Sequence, residues 1–174
     1  FSGILLCLFL VFHLINNLTL FIGSETFNEM VYALESIKPV VRIMEIGLLS
    51  IFMLHIVNAI QVYISNKKSS VGKTPENVVS SISSRTMLIS GTTILFFMVI
   101  HLRYIWYTYQ THSFLANETY YDVILRNQIG YLGHTPTAFF YIIGILFISF
   151  HLKHGFQSAL KTFGLLPNSR WNIA

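Results

Sequence analysis

Four histidines lie inside long apolar stretches of this chain, one in each stretch. They are His13, His55, His101 and His151. An ionisable side chain within a membrane-spanning segment is energetically costly, so each of these residues is a candidate functional group. A neutral imidazole nitrogen is a good metal ligand. The residue type and its repeated placement therefore indicate a metal centre inside a membrane.

The stretch FFYIIGILFISFHLKHGFQSAL, which contains His151, makes this indication more specific. Gly144 and Gly155 fall seven residues before and four residues after His151, so all three share one face of a helix. A histidine on a face of small residues offers a nitrogen for an iron and room for a flat macrocycle. That combination is what a haem requires. Lys153 and His154 follow within the same turn.

The composition indicates which elements must position these histidines. Of the 174 residues, 53% are hydrophobic and only 10% are charged, whereas soluble domains carry about 25% charged residues. Four apolar spans are predicted at about residues 1–22, 40–64, 86–109 and 137–163, each close to the roughly 20 residues that cross a bilayer. Such spans must be helices, because lipid cannot satisfy free backbone groups. We therefore expect an all-α transmembrane bundle forming a single domain over residues 1–174.

Several other classes of protein are disfavoured. The sequence shows no soluble domain, no low-complexity tract and no convincing internal repeat. Its single cysteine, Cys7, excludes an internal disulfide, and the absence of a CxxCH motif argues against covalently attached haem. The basic residues cluster in short segments beside apolar spans, which is typical of topology signals rather than of a nucleic-acid surface.

Loop charges predict the orientation of the bundle. The first loop carries three glutamates, Glu25, Glu29 and Glu35, against the single Lys38. The second loop and the C-terminal segment are basic, and their cations are Lys67, Lys68, Lys73, Arg85, Lys161 and Arg170. Because Lys and Arg accumulate on the cytoplasmic side, the N-terminus, the second loop and the C-terminus are expected inside.

This orientation places the four histidines at two depths. His13 and His101 lie about eight or nine residues before the outer ends of their spans, which is roughly 12–14 Å at the helical rise per residue. His55 and His151 lie at similar distances from the inner ends of spans that run the opposite way. Two imidazoles at one depth on different helices suit bis-histidine haem ligation. The spacing therefore predicts two stacked b haems, an outer one between His13 and His101 and an inner one between His55 and His151.

Other ionisable residues are candidates for contacts to haem propionates or a quinone. Arg42 and Arg103 lie near the outer haem level, and Lys153 and His154 lie near the inner surface. Glu45 could pair with an arginine, relay protons or form a structural hydrogen bond. For the two arginines, simple extension toward lipid head groups is an equal alternative.

The residues resemble a known family, the di-haem cytochrome b membrane anchor of succinate dehydrogenases and fumarate reductases. The resemblance covers nearly the whole chain, and its motifs are LFLVFHLINNLTLF, VRIMEIGLLSIFMLHIV, ILFFMVIHLRY and FHLKHGFQSALKTFG. His151, Gly155, Phe156 and Ser158 fit the family pattern at the fourth ligand, which favours His151 over His154. The family pairs ligands of the first and third helices, and of the second and fourth helices.

The resemblance also implies a cellular context. It predicts a subunit of the bacterial cytoplasmic membrane that binds a flavoprotein and an iron–sulfur protein on the cytoplasmic side. It would carry two haem b groups and pass electrons to or from a quinone, menaquinone being the expected one. Such anchors have a fifth helix, so we expect the sequence to be a fragment that lacks that helix and the start of the first.

Two other functions remain open from the sequence. One is a haem b subunit of another respiratory complex, of the hydrogenase or formate dehydrogenase type. The other is a transporter without haem, in which the histidines and Glu45 relay protons.

Overall fold

The structure is a computed structural model that describes residues 2–69 and 78–164, with the side chains of 66, 68–69, 78–85 and 161–162 left aside. It is all-helical, and no strand occurs in these two ranges. The helices are α1 (Ser2–Ile22), α2 (Ser24–Ser36), α3 (Lys38–Ser69), α4 (Val78–His101), a π-helical turn (Leu102–Trp106), α5 (Tyr107–Thr111), α6 (Tyr120–Ile124) and α7 (Thr135–Thr162).

Four segments are long and apolar enough to cross a membrane. They are Ser2–Ile22, Lys38–Ser65, Thr86–Thr111 and Thr135–Leu160. Large apolar side chains along them are exposed, as expected for helices that face lipid rather than water. The predicted helical class and the four predicted spans are confirmed, and the chain has the character of a multi-pass membrane protein.

The spanning helices pack side by side in the order α3, α1, α7, α4. Helix α1 packs against α3 and α7, and α7 also packs closely against α4. Within the described ranges, the pairs α1 with α4, α3 with α7 and α3 with α4 are not among the extensively packed ones.

The first connection is helical, whereas the sequence interpretation treated Gly23–Pro39 as a loop. Helix α2 is amphipathic, with apolar residues at the i, i+3, i+4 and i+7 positions Phe27, Met30, Val31 and Leu34. Phe27 and Val31 are buried in a cluster with Tyr120 and Ile124 of α6. Burial of this face, rather than a membrane, stabilises α2.

The connection between the π-helical turn and α7 also has defined structure. Thr119 caps α6 by a reciprocal hydrogen-bond pair with Asp122. Arg126 donates from Nε to Glu118 Oε1 over 2.8 Å, and its Nη2 also contacts Glu118. These hydrogen bonds from Arg126 hold the pKa of Glu118 below its usual value. Helices α2 and α6 thus form a folded cap over one end of the bundle.

Candidate functional site

The four intramembrane histidines meet in two pairs inside the bundle. The ring centroids of His13 and His101, called the α1/α4 pair below, are 5.9 Å apart with planes at 84°. The centroids of His55 and His151, called the α3/α7 pair, are 6.2 Å apart with planes at 77°. All four rings are partly buried. Each pair joins two helices that are not extensively packed against each other within the described ranges.

This separation fits two imidazoles on opposite sides of one metal. A metal–imidazole bond is about 2 Å for zinc and the ring centre lies about one ångström behind the nitrogen, so centroids stand roughly 6 Å apart. Among the described residues, no group of three or more His, Cys, Asp or Glu side chains could hold a metal ion. A zinc site of three or four protein ligands therefore does not fit. A haem does fit, because its iron needs only two axial ligands from the protein.

The histidines of the α3/α7 pair each contact a serine of a neighbouring helix. Ser90 Oγ of α4 lies 3.0 Å from His151 Nδ1, and Ser2 Oγ of α1 lies 3.4 Å from His55 Nδ1. The glycine after each serine also faces the same ring. A Cβ on Gly91 would lie 3.5 Å from His151 Cε1.

The histidines of the α1/α4 pair are surrounded differently. Phe9 stacks on His13 at 5.4 Å between ring centroids, and Phe97 stacks on His101 at 5.8 Å. Tyr141 of α7 meets the His101 ring edge-on. His101 Nδ1 is buried and has no hydrogen-bond partner among the described residues. An unpaired buried ring nitrogen costs free energy, so packing rather than hydrogen bonding positions this histidine.

One detail of the sequence interpretation needs correction. Gly144 and Gly155 were expected to leave room beside His151. The ring of Phe97 fills the space at Gly144, where a Cβ would lie 2.4 Å from Phe97 Cδ2. Gly144 therefore permits close packing of α4 on α7. Only Gly155 has open space, with no atom within 4 Å of a Cβ built there.

A cavity with both apolar and polar lining lies beside the α1/α4 pair, between the bundle and the α2/α6 cap. Its volume is about 140 Å³, and it is lined by Asn16, Val31, Leu34, Glu35, Lys38, Val41, Arg42, Glu45, Tyr109, Gln110 and Tyr120. Asn16 follows His13 by three residues, and its Oδ1 is buried without a hydrogen-bond partner among the described residues.

Two carboxylates line this cavity. Glu45 accepts hydrogen bonds from Arg42 Nη1 (3.0 Å), Trp106 Nε1 (3.0 Å) and Gln110 Nε2 (2.9 Å). Of the roles considered for Glu45, pairing with an arginine is the one present. Burial disfavours the charge of Glu35, but hydrogen bonds from Tyr120 and Lys38 outweigh that effect and lower its pKa below the usual value.

The remaining candidates lie away from the histidine pairs. Arg103 is exposed and lies over the rings of Tyr104 and Tyr107, 5.7 and 5.0 Å from their centroids. Lys153 and His154 are also exposed, and His154 Nδ1 lies 3.1 Å from the Phe150 carbonyl oxygen. Most basic residues of the predicted inner face lie outside the described residues or have undescribed side chains, namely Lys68, Lys73, Arg85, Lys161 and Arg170.

Comparison with known proteins gives no further guidance. No family model matches the chain, and no match is found among curated proteins or solved structures. The function must therefore be argued from the histidine pairs themselves.

The structure also reveals functional candidates that the sequence interpretation missed. Segments 2–13 and 90–101, SGILLCLFLVFH and SGTTILFFMVIH, share Ser, Gly, Phe, Val and His at equivalent positions. The interpretation found no convincing repeat, because five shared residues among apolar ones are a weak signal. Both serines and both phenylalanines of the repeat contact histidines, and these contacts make them functional candidates.

Proposed function

We propose that this chain is the membrane anchor and electron-transfer subunit of a succinate:quinone oxidoreductase. In this proposal His13 and His101 would hold an outer b haem, and His55 and His151 an inner one. The observation that carries the proposal is the meeting of the four histidines in two pairs, each from two different helices, with ring centroids 5.9 and 6.2 Å apart. Each haem, when bound, supplies a centre that accepts and releases one electron.

The protein's part is to hold and insulate these centres. The two histidines of each pair would be the protein's ligands to one haem iron, and an iron held by both would have no position left for oxygen or a substrate. The surrounding apolar helices keep water away and favour a single ligand geometry. The chain itself then carries out no bond-making chemistry, and its role is to conduct electrons between two partners.

The cavity beside the α1/α4 pair is the best candidate for the quinone site. A quinone needs hydrogen-bond donors for its two oxygens, and its reduced form must release protons to a nearby base. The cavity lining offers donors in Lys38 and Gln110, and carboxylates in Glu35 and Glu45. Menaquinone is the proposed substrate. The exposed positions of Lys153, His154 and Arg103 make them weaker candidates for quinone or propionate contact.

The proposed partners are a flavoprotein and an iron–sulfur protein on the cytoplasmic side. They would supply the succinate and fumarate chemistry, since the chain carries no nucleotide motif and only one cysteine. The cationic second loop and C-terminal segment favour an acidic partner there. The proposed location is the cytoplasmic membrane of a bacterium, with the N-terminus inside.

The same bundle would also suit a haem b subunit of a hydrogenase or formate dehydrogenase. The two functions differ in the electron donor. Purification of the intact membrane complex, followed by addition of succinate, formate or hydrogen, separates them. The proposal expects succinate to reduce the haem absorption bands, and expects a subunit with covalent flavin to copurify. Reduction by formate or hydrogen but not by succinate would contradict it.

A further inference from the structure

Helices α1 and α4 each contact both histidine pairs. In each helix a serine precedes the histidine by eleven residues, which is about three turns, so the two side chains share a helix face. The histidine belongs to the α1/α4 pair. The serine, Ser2 or Ser90, reaches a histidine of the α3/α7 pair on the adjacent helix.

The hydrogen-bond geometry at Ser90 indicates which atom donates. Ser90 Oγ lies 3.1 Å from the Met87 carbonyl oxygen, to which only the hydroxyl can donate. A hydroxyl has one proton, so with that proton on Met87 the oxygen accepts from His151 Nδ1–H at 3.0 Å. The other ring nitrogen, Nε2, then carries the lone pair that a metal requires.

We propose that Ser90, and more weakly Ser2, are positioning residues for the α3/α7 pair. This inference rests on the proposed function. Each serine holds the neighbouring imidazole in the tautomer with a proton on Nδ1, and fixes the orientation of its ring. A hydrogen bond donated by a metal-bound imidazole makes the ring a more basic ligand. More basic ligands stabilise oxidised iron, so the serines lower the reduction potential of the inner haem.

The α1/α4 pair lacks this arrangement at His101, whose Nδ1 is buried without a partner among the described residues. The two haems would therefore have the same ligands, a pair of histidines, but different reduction potentials. The repeated serine explains how one bundle could give two haems different reduction potentials although histidine is the ligand of both.

A serine–histidine contact between helices could instead serve packing alone. Ser90 is buried at the contact between α4 and α7, and both roles are compatible with its distances. A packing role depends on the volume of the side chain rather than on its oxygen as an acceptor. It therefore predicts that a variant of the same volume without a good acceptor leaves the potentials of both haems unchanged.

The test is a spectroscopic redox titration of the purified holo-complex carrying Ser90→Ala. We expect the equilibrium constant for reduction of one haem to increase about threefold to tenfold. This raises its midpoint potential by about 28–59 mV for a one-electron couple. The shifted haem must be the one that His151→Ala removes. Ser2→Ala should give a smaller shift in the same direction, because its contact is longer.

Two further variants keep the test decisive. Ser90→Cys preserves the side-chain volume but is a poor acceptor, so it should shift the same haem even if Ser90→Ala assembles poorly. Ser149→Ala removes an exposed hydroxyl that bonds only to the Ile145 carbonyl, and should shift neither haem.

The outcomes separate the two proposals. If the wild-type complex contains no haem, the proposed function is wrong. If it contains two haems and neither Ser90 variant shifts a potential, or both haems shift equally, the positioning role of Ser90 is wrong while the proposed function stands.

Discussion

The two histidine pairs have nearly the same ring separation but different surroundings. The α3/α7 pair is contacted by hydroxyl groups, from Ser2 and Ser90, whereas the α1/α4 pair is stacked against Phe9 and Phe97. The first arrangement can fix a tautomer and influence electronic properties. The second fixes ring orientation through packing, and His101 Nδ1 has no hydrogen-bond partner among the described residues. If both pairs hold haems as proposed, the same ligands would work in two different environments within a single bundle.

The largest expected effect comes from removing the histidines themselves. His13→Ala and His101→Ala should each abolish the same haem, and His55→Ala and His151→Ala should each abolish the other. Each variant should then contain about half of the wild-type haem, measured by absorption relative to protein. An outcome in which His13→Ala and His151→Ala share a phenotype would contradict the pairing.

Adding bulk beside one pair should produce the next largest effect. A Cβ at Gly91 would already lie in contact with the His151 ring, so Gly91→Leu should displace that ring and remove most of the inner haem. Thr92→Leu is the matched control, because Thr92 is exposed on the same helix. Comparable haem loss in both variants would mean that α4 tolerates no added bulk, and that the effect is not specific to His151.

A smaller effect is expected from the stacked phenylalanines. Phe97→Leu removes a buried ring that stacks on His101 and packs against Gly144, at a cost of about 1–1.5 kcal/mol in stability. The outer haem should shift its absorption maximum while the inner one keeps its spectrum. Phe96→Leu serves as control because Phe96 is exposed. A spectral change at the inner haem alone would show that the two environments are not separate.

The smallest effect is expected at His154, the other histidine near the end of α7. His154 is exposed, and among the described residues its ring nitrogen hydrogen-bonds to a backbone carbonyl. His154→Ala should therefore keep both haems, with unchanged haem content and midpoint potentials. Loss of the inner haem in this variant would identify His154, not His151, as the ligand.

The sequence predicted the spans and which histidines lie at the same level because both depend on local properties. Hydropathy marks where a helix enters lipid, and the constant helical rise converts a residue number into a depth. His55 and His151 could therefore be matched although they lie 96 positions apart. Iron ligation by these residues stays a prediction.

Lateral arrangement could not be predicted in this way. Hydropathy does not indicate which helices pack against each other, since that choice depends on contacts such as Phe97 against Gly144. The contact of Ser90 with His151 joins two helices and follows from the same packing. Helix α2 was missed for a different reason. Its apolar spacing was visible in the sequence, but its glutamates were interpreted as the charges of a loop.

The account rests on the claim that two histidine pairs hold two haems. The most direct measurement is the haem content of the purified, folded chain by the pyridine haemochrome method, with protein quantified independently. We predict two b-type haems per chain, both low-spin because both axial positions are filled. One haem would contradict the claim for one pair, and none would contradict it for both.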